Sequence, residues 1–204
     1  IVEHDEELLT IEALPESEPT NIIGRHIANL VDNGSTIQIS LGTSQQATLL
    51  ALADKSDLGV HSQFLTNDMM HLVSRGVITN RKKGFNDGKL VASIAIGTTE
   101  LYEFLNGNPS VEFHPSDYVN DPRIISRHNT MVTMNVAMAI DLTGQVAADA
   151  MPFNYYSGVS GILDFIRGAA LAEGGKSILM LTSTAMGGKM SRIVPQFHDT
   201  GVVV

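Results

Sequence analysis

The chain has 204 residues, of which 43% are hydrophobic and 17% charged, enough for one packed domain with a short arm. Its formal net charge of −9 argues against nucleic acid or an anionic membrane surface as a partner, because both reward a basic face. The absence of cysteine excludes disulfides and thiolate metal sites, and no apolar run reaches the roughly 20 residues that span a bilayer. We therefore expect a soluble, cytoplasmic protein that holds any anionic ligand through local groups.

The first 20 residues differ in composition from the rest of the chain. They hold seven acidic side chains and two prolines, a composition typical of an exposed linker. From Asn21 onward apolar residues recur at helical spacing, and Thr20 is the expected N-cap. The sequence thus predicts an acidic linker over residues 1–20 and one α/β domain over residues 21–204.

Strand-like and helical patterns alternate through that domain. Strands are predicted at 36–41, 59–66, 90–96, 131–140, 145–148 and 178–181, and helices at 42–52, 68–75, 100–105 and 161–172. The strands at 131–140 and 145–148 flank a predicted tight turn. Because alternation of this kind is typical of parallel sheets, the predicted fold is α/β, with an open, mostly parallel sheet and helices on both faces.

Four segments lie where ligands of open α/β sheets collect, after predicted strands and before helices that present unpaired backbone amides. They are 40–46, 62–68, 156–164 and 182–192. The single glycine of the first segment is more typical of a backbone turn than of a site. The spaced glycines of the third indicate either close approach of a ligand or tight packing. The glycines and cations of the fourth indicate either a phosphate site or an ordinary charged turn.

Other polar patterns carry less chemistry. The histidines are scattered and show no paired spacing on a helix face, so we expect structural histidines and no metal site. The basic run at 81–83 is typical of a solvated loop, and no serine lies in a nucleophile elbow. Residue patterns alone therefore do not select a reaction.

Five longer segments favour a particular family. They are Asp57–His61, Tyr118–Arg123, Asp141–Val146, Asp164–Ala169 and Gly187–Pro195. In order and spacing they resemble the acetyl-CoA hydrolase and 4-hydroxybutyrate CoA-transferase branch of the family I CoA-transferases. The resemblance runs from about residue 20 to the last residue. It implies a CoA-transferase (NagB-like) domain without the family's N-terminal domain and last strands, and an acyl-CoA site shared with that missing half.

The resemblance also assigns roles to individual positions. In such enzymes a glutamate attacks the acyl-CoA thioester, and that glutamate maps onto Gln63, whose carboxamide is a far weaker nucleophile. Backbone amides of Leu41 and Gly161 are expected as oxyanion donors. CoA contacts are expected at Gly42, Gly158, Ser160, Gly187, Gly188 and Lys189.

Further departures accompany the change at position 63. Ser40–Thr43 stands where the family has a Gly-Ile-Gly-Gly turn, and Ala139 and Met186 replace a usual glutamate and lysine. A cluster of changes favours natural divergence over a single engineered substitution. A glutamyl-CoA ping-pong reaction is therefore not expected.

Three functions stay open at this point. The first is an enzyme that binds acyl-CoA or a related acyl thioester and has diverged from CoA transfer, for example toward thioester hydrolysis. The second is a noncatalytic subunit or binding module that pairs with a separate N-terminal half. The third, a transferase whose partner supplies the nucleophile, ranks last because the family draws its glutamate from this half. Coenzyme A, as acyl-CoA, is the expected cofactor, and a homo-oligomer or a partner chain is expected because half a cleft exposes apolar surface.

Overall fold

A computed structural model describes residues 3–13, 15, 17–151, 154–158, 160–198 and 200–202. The helices are α1 (Glu18–Ala28), α2 (Thr43–Ala51), α3 (Asn67–Ser74), α4 (Thr99–Leu105), α5 (Ser116–Val119), α6 (Pro122–Ile125) and α7 (Ile162–Leu171). The strands are β1 (Thr36–Ile39), β2 (Gly59–Val60), β3 (Phe64–Leu65), β4 (Leu90–Ala92), β5 (Ile94–Ala95), β6 (Val111–Phe113), β7 (Met131–Val136), β8 (Ala139–Asp141), β9 (Val146–Ala147), β10 (Ala150–Met151), β11 (Asn154–Tyr155), β12 (Lys176–Met180), β13 (Thr184–Ala185), β14 (Met190–Ser191) and β15 (Ile193–Val194).

The central sheet has the strand order β12-β7-β1-β2, and all its neighbours run parallel. The pairs β3–β5, β4–β6 and β8–β15 are parallel as well. Antiparallel pairing is found in β8–β9, β10–β11 and β13–β14, each of which joins strands close in sequence. The predicted mostly parallel sheet is confirmed, and so is the tight turn between β8 and β9.

Both faces of the sheet are covered by helices, as predicted. Alternate residues of β7 point to opposite faces: Met131 packs in a cluster with Phe165 of α7, whereas Val132 and Met134 pack in a cluster with Leu49 of α2. All five side chains are at most 2% exposed. Burial of each such side chain stabilises the fold by about 1.5–3 kcal/mol, so the alternation along one strand joins the two layers to the sheet.

The first helix begins earlier than predicted. Its N-cap is Ser17 and not Thr20: the Ser17 hydroxyl accepts from the Thr20 amide at 3.4 Å, and the Thr20 hydroxyl accepts from the Ser17 amide at 3.2 Å. This is a capping box, which satisfies two amides that a helix start leaves open. The last three residues of the predicted linker are therefore helical, whereas residues 3–13 are exposed.

Two predicted strands are each divided into two. The segment predicted at 59–66 forms β2, which pairs with β1, and β3, which pairs with β5. The chain bends between them where the Ser62 hydroxyl donates to Ile39 O at 3.1 Å, beside the end of β1. The segment 90–96 divides in the same way into β4 and β5. The bend brings residues 61–63 to the edge of the sheet at which β1 ends.

Candidate functional site

The turn between β1 and α2 forms one side of the site. Gly42 has φ 141°, a conformation that side chains disfavour, and a Cβ there would lie 2.6 Å from Gln45 Oε1. Gln45 is held in place because its Nε2 donates to Ser40 Oγ at 2.9 Å. Gly42 is the N-cap of α2 and makes no side-chain cap hydrogen bond. The first turn of α2 therefore begins with backbone amides that a ligand's oxygen can meet.

Gln63 lies directly after the bend that follows β2. Its backbone oxygen accepts from the amides of Ser93 and Ile94 at 3.2 and 3.0 Å. Its side chain is half-buried, and its Oε1 lies 3.4 Å from the point that a Cβ on Gly161 would occupy. The Gln63 carboxamide thus faces the start of α7, where the glycine-containing loop ends.

Asn120 also contacts this point, and the sequence reasoning did not single it out as a site residue. Its Nδ2 lies 2.5 Å from the same Cβ position of Gly161, so its carboxamide packs against the bare face of that glycine. Asn120 Oδ1 is buried and has no hydrogen-bond partner among the residues that the structure describes. His61 Nε2 donates to Val119 O at 2.8 Å and so fixes Val119, the residue before Asn120. Asn120 lies in the segment Tyr118–Arg123, on which the family resemblance partly rests, and that segment could have pointed to it as a site residue.

A groove of about 900 Å³ runs along the other side of this loop. Leu41, Gly42 and Ser160 all line it. Asp149 also lines the groove and holds both ends of the loop. Its carboxylate accepts from the Ser160 amide at 3.3 Å, and its backbone oxygen accepts from the Tyr156 amide at 2.9 Å. The predicted site residues at 41, 42 and 160 are therefore brought together, and Gly161 joins them to Gln63.

The groove has an apolar wall and a smaller basic part. Met138, Met186 and Met190 contribute to the wall, and Arg192 and His198 are the basic side chains of the lining. A lining of this kind suits an elongated ligand with an apolar portion and an anionic group. A smaller cavity of about 490 Å³ lies on the far side of the Leu41–Gly42 turn. This turn therefore separates the smaller cavity from the groove.

Four predicted CoA contacts lie at the periphery. Gly187, Gly188 and Lys189 form the exposed tip of the β13–β14 hairpin, where the two glycines have φ of 66° and 88°. They are not among the described residues that line the groove, although Met186 and Met190 on either side of them are. Gly158 is exposed as well. Contacts between these four residues and CoA stay predictions.

The basic run at 81–83 is not wholly solvated, which corrects one expectation. Arg81 and Lys82 are exposed, but Lys83 is fully buried. Burial lowers the pKa of Lys83 to about 7 and that of His61 to about 4, because a low-dielectric surrounding disfavours the charged form. The His61 and His128 rings lie 4.4 Å apart, and both residues are buried. The interior next to Gln63 thus holds three basic side chains.

Among the described residues, neither a membrane-spanning helix nor a cluster of metal ligands is found. None of the helices described is long and apolar enough to cross a membrane. Across the same ranges, no group of three or more histidines or carboxylates is arranged to hold a metal ion.

Comparison with known proteins matches this chain to enzymes of CoA chemistry. Residues 97–204 match the family model of the acetyl-CoA hydrolase/transferase C-terminal domain. The chain is 42% identical to a 4-hydroxybutyrate coenzyme A transferase of Clostridium kluyveri, over 100% of this chain and 47% of that protein. It is 40% identical to a succinyl-CoA:cyclohexane-1-carboxylate CoA transferase of Geobacter metallireducens, over 96% of this chain and 45% of that protein.

Solved structures give the same result. RipA from Yersinia pestis superposes with a TM-score of 0.90 and 37% identity, over 96% of this chain and 44% of that one. A 4-hydroxybutyrate CoA-transferase from Porphyromonas gingivalis superposes with a TM-score of 0.82 and 37% identity, over 92% of this chain and 45% of that one. The chain therefore spans a little under half the length of the relatives it matches.

Proposed function

The chain belongs to the acetyl-CoA hydrolase/transferase family, and on that premise we propose that it binds an acyl-CoA or a related acyl thioester at the turns before α2 and α7, without forming a glutamyl-CoA intermediate. One observation carries the proposal, namely that the carboxamides of Gln63 and Asn120 meet at Gly161. These groups come from three distant parts of the sequence. Two neutral amides beside a helix start can orient a carbonyl oxygen.

The proposed contacts to the thioester are backbone amides, which do not depend on the identity of the side chains. The backbone amides near Leu41 and Gly161 are suited to hydrogen-bond a thioester carbonyl and the negative charge that develops on it. The groove beside Ser160 offers space for the remainder of the thioester, and Arg192 offers a positive charge for a phosphate. Retention of donors and groove supports ligand binding even without a glutamate.

The chemistry follows from the amide at position 63. A carboxylate would attack the thioester carbon to give an anhydride, but a neutral carboxamide is a much weaker nucleophile. Any turnover is then hydrolysis: water attacks the carbonyl carbon, the carbon–sulfur bond breaks, and the products are a carboxylic acid and CoA thiol. His61 and Ser62, the two residues before Gln63, are buried and hydrogen-bonded to Val119 O and Ile39 O, so neither is placed to activate a water. We therefore expect slow hydrolysis.

The second candidate function is a noncatalytic binding module. It is favoured by Gln63, whose neutral carboxamide is a weak nucleophile where the family has a glutamate. In this case a separate polypeptide or a second segment supplies the N-terminal half of the cleft. This candidate predicts that thioester binds and is not consumed.

The distinguishing experiment follows two products in parallel. The purified protein is incubated with acetyl-CoA and with butyryl-CoA, each with and without acetate, while free thiol and new acyl-CoA are measured. Thiol release that does not depend on acetate supports hydrolysis, and binding without either product supports the binding module. Exchange of CoA onto acetate would contradict the proposal, and absence of any binding would contradict both candidates.

The role of position 63 is tested by Gln63→Glu. We expect this variant to gain a covalent glutamyl-CoA adduct after incubation with acyl-CoA, detected by intact mass and removed by borohydride reduction of the thioester. Gln145→Glu, at an exposed position in the β8–β9 turn, is the matched control and should gain no adduct. If Gln63→Glu binds acyl-CoA but stays unmodified, residue 63 does not face the thioester.

A further inference from the structure

Strand β2 changes its outer neighbour midway along its length. Its inner side pairs with β1 through Thr36–Gly59 and Ile37–Val60. On its outer side the residue before β2, Leu58, bridges to Ile78, whereas the residue after it, His61, bridges to Val91. Val60 lies between these two bridges, where the outer neighbour changes. Its buried backbone groups need hydrogen-bond partners at this junction, and side chains can supply them.

Two side chains bind the outer backbone groups of Val60. Asn80 Oδ1 accepts from the Val60 amide at 2.8 Å, and Lys83 Nζ donates to Val60 O at 2.8 Å. Lys83 Nζ also donates to Lys89 O at 2.7 Å, directly before β4. One amino group therefore links β2 to the residue before β4, next to the bridge between His61 and Val91. Hydrogen bonds from a charged donor are stronger than neutral ones.

The path of the Lys83 side chain is also specified by its surroundings. It is fully buried, and it crosses Gly59 so closely that a Cβ at that position would overlap its Cγ. The backbone oxygen of Lys83 accepts from the Asn129 amide at 2.8 Å, so both ends of the residue are held. Burial lowers the pKa of Lys83 to about 7, against the opposing charges of Asp87 and Glu112. Either protonation state keeps at least two N–H donors for the two carbonyls.

The link at Lys83 is connected to Gln63 through short segments. Val60 lies three residues before Gln63, and β4 holds the intervening chain because the Ser62 amide donates to Val91 O at 3.1 Å. Past the end of β4, the Ser93 amide donates to Gln63 O. The register between β2 and β4 therefore sets where Gln63 leaves the sheet.

We propose that Lys83 is a positioning residue, whose amino group links the end of β2 to the start of β4 and thereby fixes Gln63 against the turn at Gly161. The part of this inference that concerns the ligand rests on the proposed function, whereas the link between the strands does not. A lysine that merely stabilised the fold would affect the whole sheet. A positioning lysine affects the segment that carries Gln63.

The first test measures amide hydrogen exchange without any ligand. Lys83→Met keeps the apolar stem and removes the donors. The amides of Ser62, Ser93 and Ile94 are expected to exchange at least tenfold faster, while those of β7 and β12 are unchanged. Lys82→Met, at the exposed neighbouring position, is the control and should match the wild type. The proposal is wrong if these three amides keep their wild-type rates, or if exchange rises equally throughout the sheet.

A second variant keeps the role of Lys83 testable if Lys83→Met does not fold. Gly59→Ala leaves Lys83 intact but places a methyl group where its stem runs, so it should accelerate exchange of the same three amides. Lys83→Arg restores donors and should return the rates toward the wild type. If Lys83→Met does not fold, Gly59→Ala decides by the same criterion.

The last test joins position to chemistry. In the Gln63→Glu background, Lys83→Met should slow formation of the borohydride-sensitive adduct at least tenfold, with acyl-CoA affinity changed less than threefold and with rescue by Lys83→Arg. An unchanged rate of adduct formation would overturn the positioning role. If the protein does not bind acyl-CoA, the proposed function fails, and if Gln63→Glu binds it without forming an adduct, residue 63 does not face the thioester. In both cases the exchange measurements still decide the role of Lys83.

Discussion

Substitution of Gly161 by alanine tests the centre of the candidate site. Gly161 has φ −74° and ψ 8°, which alanine adopts without strain, so the only change is one methyl group. That methyl would lie 2.5 Å from Asn120 Nδ2 and 3.4 Å from Gln63 Oε1. An ordinary contact needs 3.4 Å or more, so the Asn120 carboxamide must retreat by about 0.9 Å.

The expected magnitude follows from that displacement. Insertion of a methylene-sized group into a packed site costs about 1–3 kcal/mol, and about 1.4 kcal/mol corresponds to a factor of ten in a dissociation constant. We therefore expect Gly161→Ala to weaken acyl-CoA binding by between about fivefold and 150-fold. The loss should appear in binding, because the methyl group separates the two carboxamides to which the proposed function assigns the ligand.

The assay is titration calorimetry with butyryl-CoA, together with thermal unfolding of each variant. Leu163→Ala is the control at the start of α7, because its side chain is 39% exposed and lines neither cavity. Leu163→Ala should bind like the wild type. Gly161→Ala binding within twofold of that control would refute the reasoning, whether or not the melting temperature had changed.

Two further predictions concern stability. The folded-state pKa of His61, about 4, lies below its ordinary 6.5 because of burial. The unfolding free energy should therefore be fully retained above pH 6.5 and fall by about 3 kcal/mol toward pH 4. In chemical denaturation at several pH values, His61→Gln should flatten this slope, and His71→Gln at an exposed position should not. Phe165→Ala should lose about 3–5 kcal/mol, since Phe165 is 1% exposed, whereas Leu163→Ala, on the same helix at 39% exposure, should change stability far less; equal losses would contradict the assigned core.

Local patterns in the sequence determined the element types and the turns at which we expect a ligand. Periodicity identified the helices at α2, α3, α4 and α7 within a few residues, because apolar spacing reports which face is buried. The glycine-containing turns after β1 and before α7 were recognised for a similar reason, since Gly42 needs a conformation that side chains avoid. The alternation of strands and helices also sufficed for a mostly parallel sheet.

Breaks within strands depended on the tertiary structure. An apolar run such as residues 59–66 reads as one strand, because residue type reports burial and not the identity of the pairing partner. The division into β2 and β3 arises because the first pairs with β1 and the second with β5. The start of α1, in contrast, could have been found from the sequence, since Ser17 and Thr20 form a capping box by local spacing.

The sequence by itself determined the fold class, the family resemblance and the glutamine at position 63. Only the tertiary structure decided that Asn120 meets Gly161 and that Lys83 lies buried beside two exposed basic residues. The first contact joins residues 41 positions apart through the packing of α6 on α7. The second depends on the junction between β2 and β4, which no single segment encodes, because a buried carbonyl takes its hydrogen-bond donor from whichever part of the chain the fold brings to it.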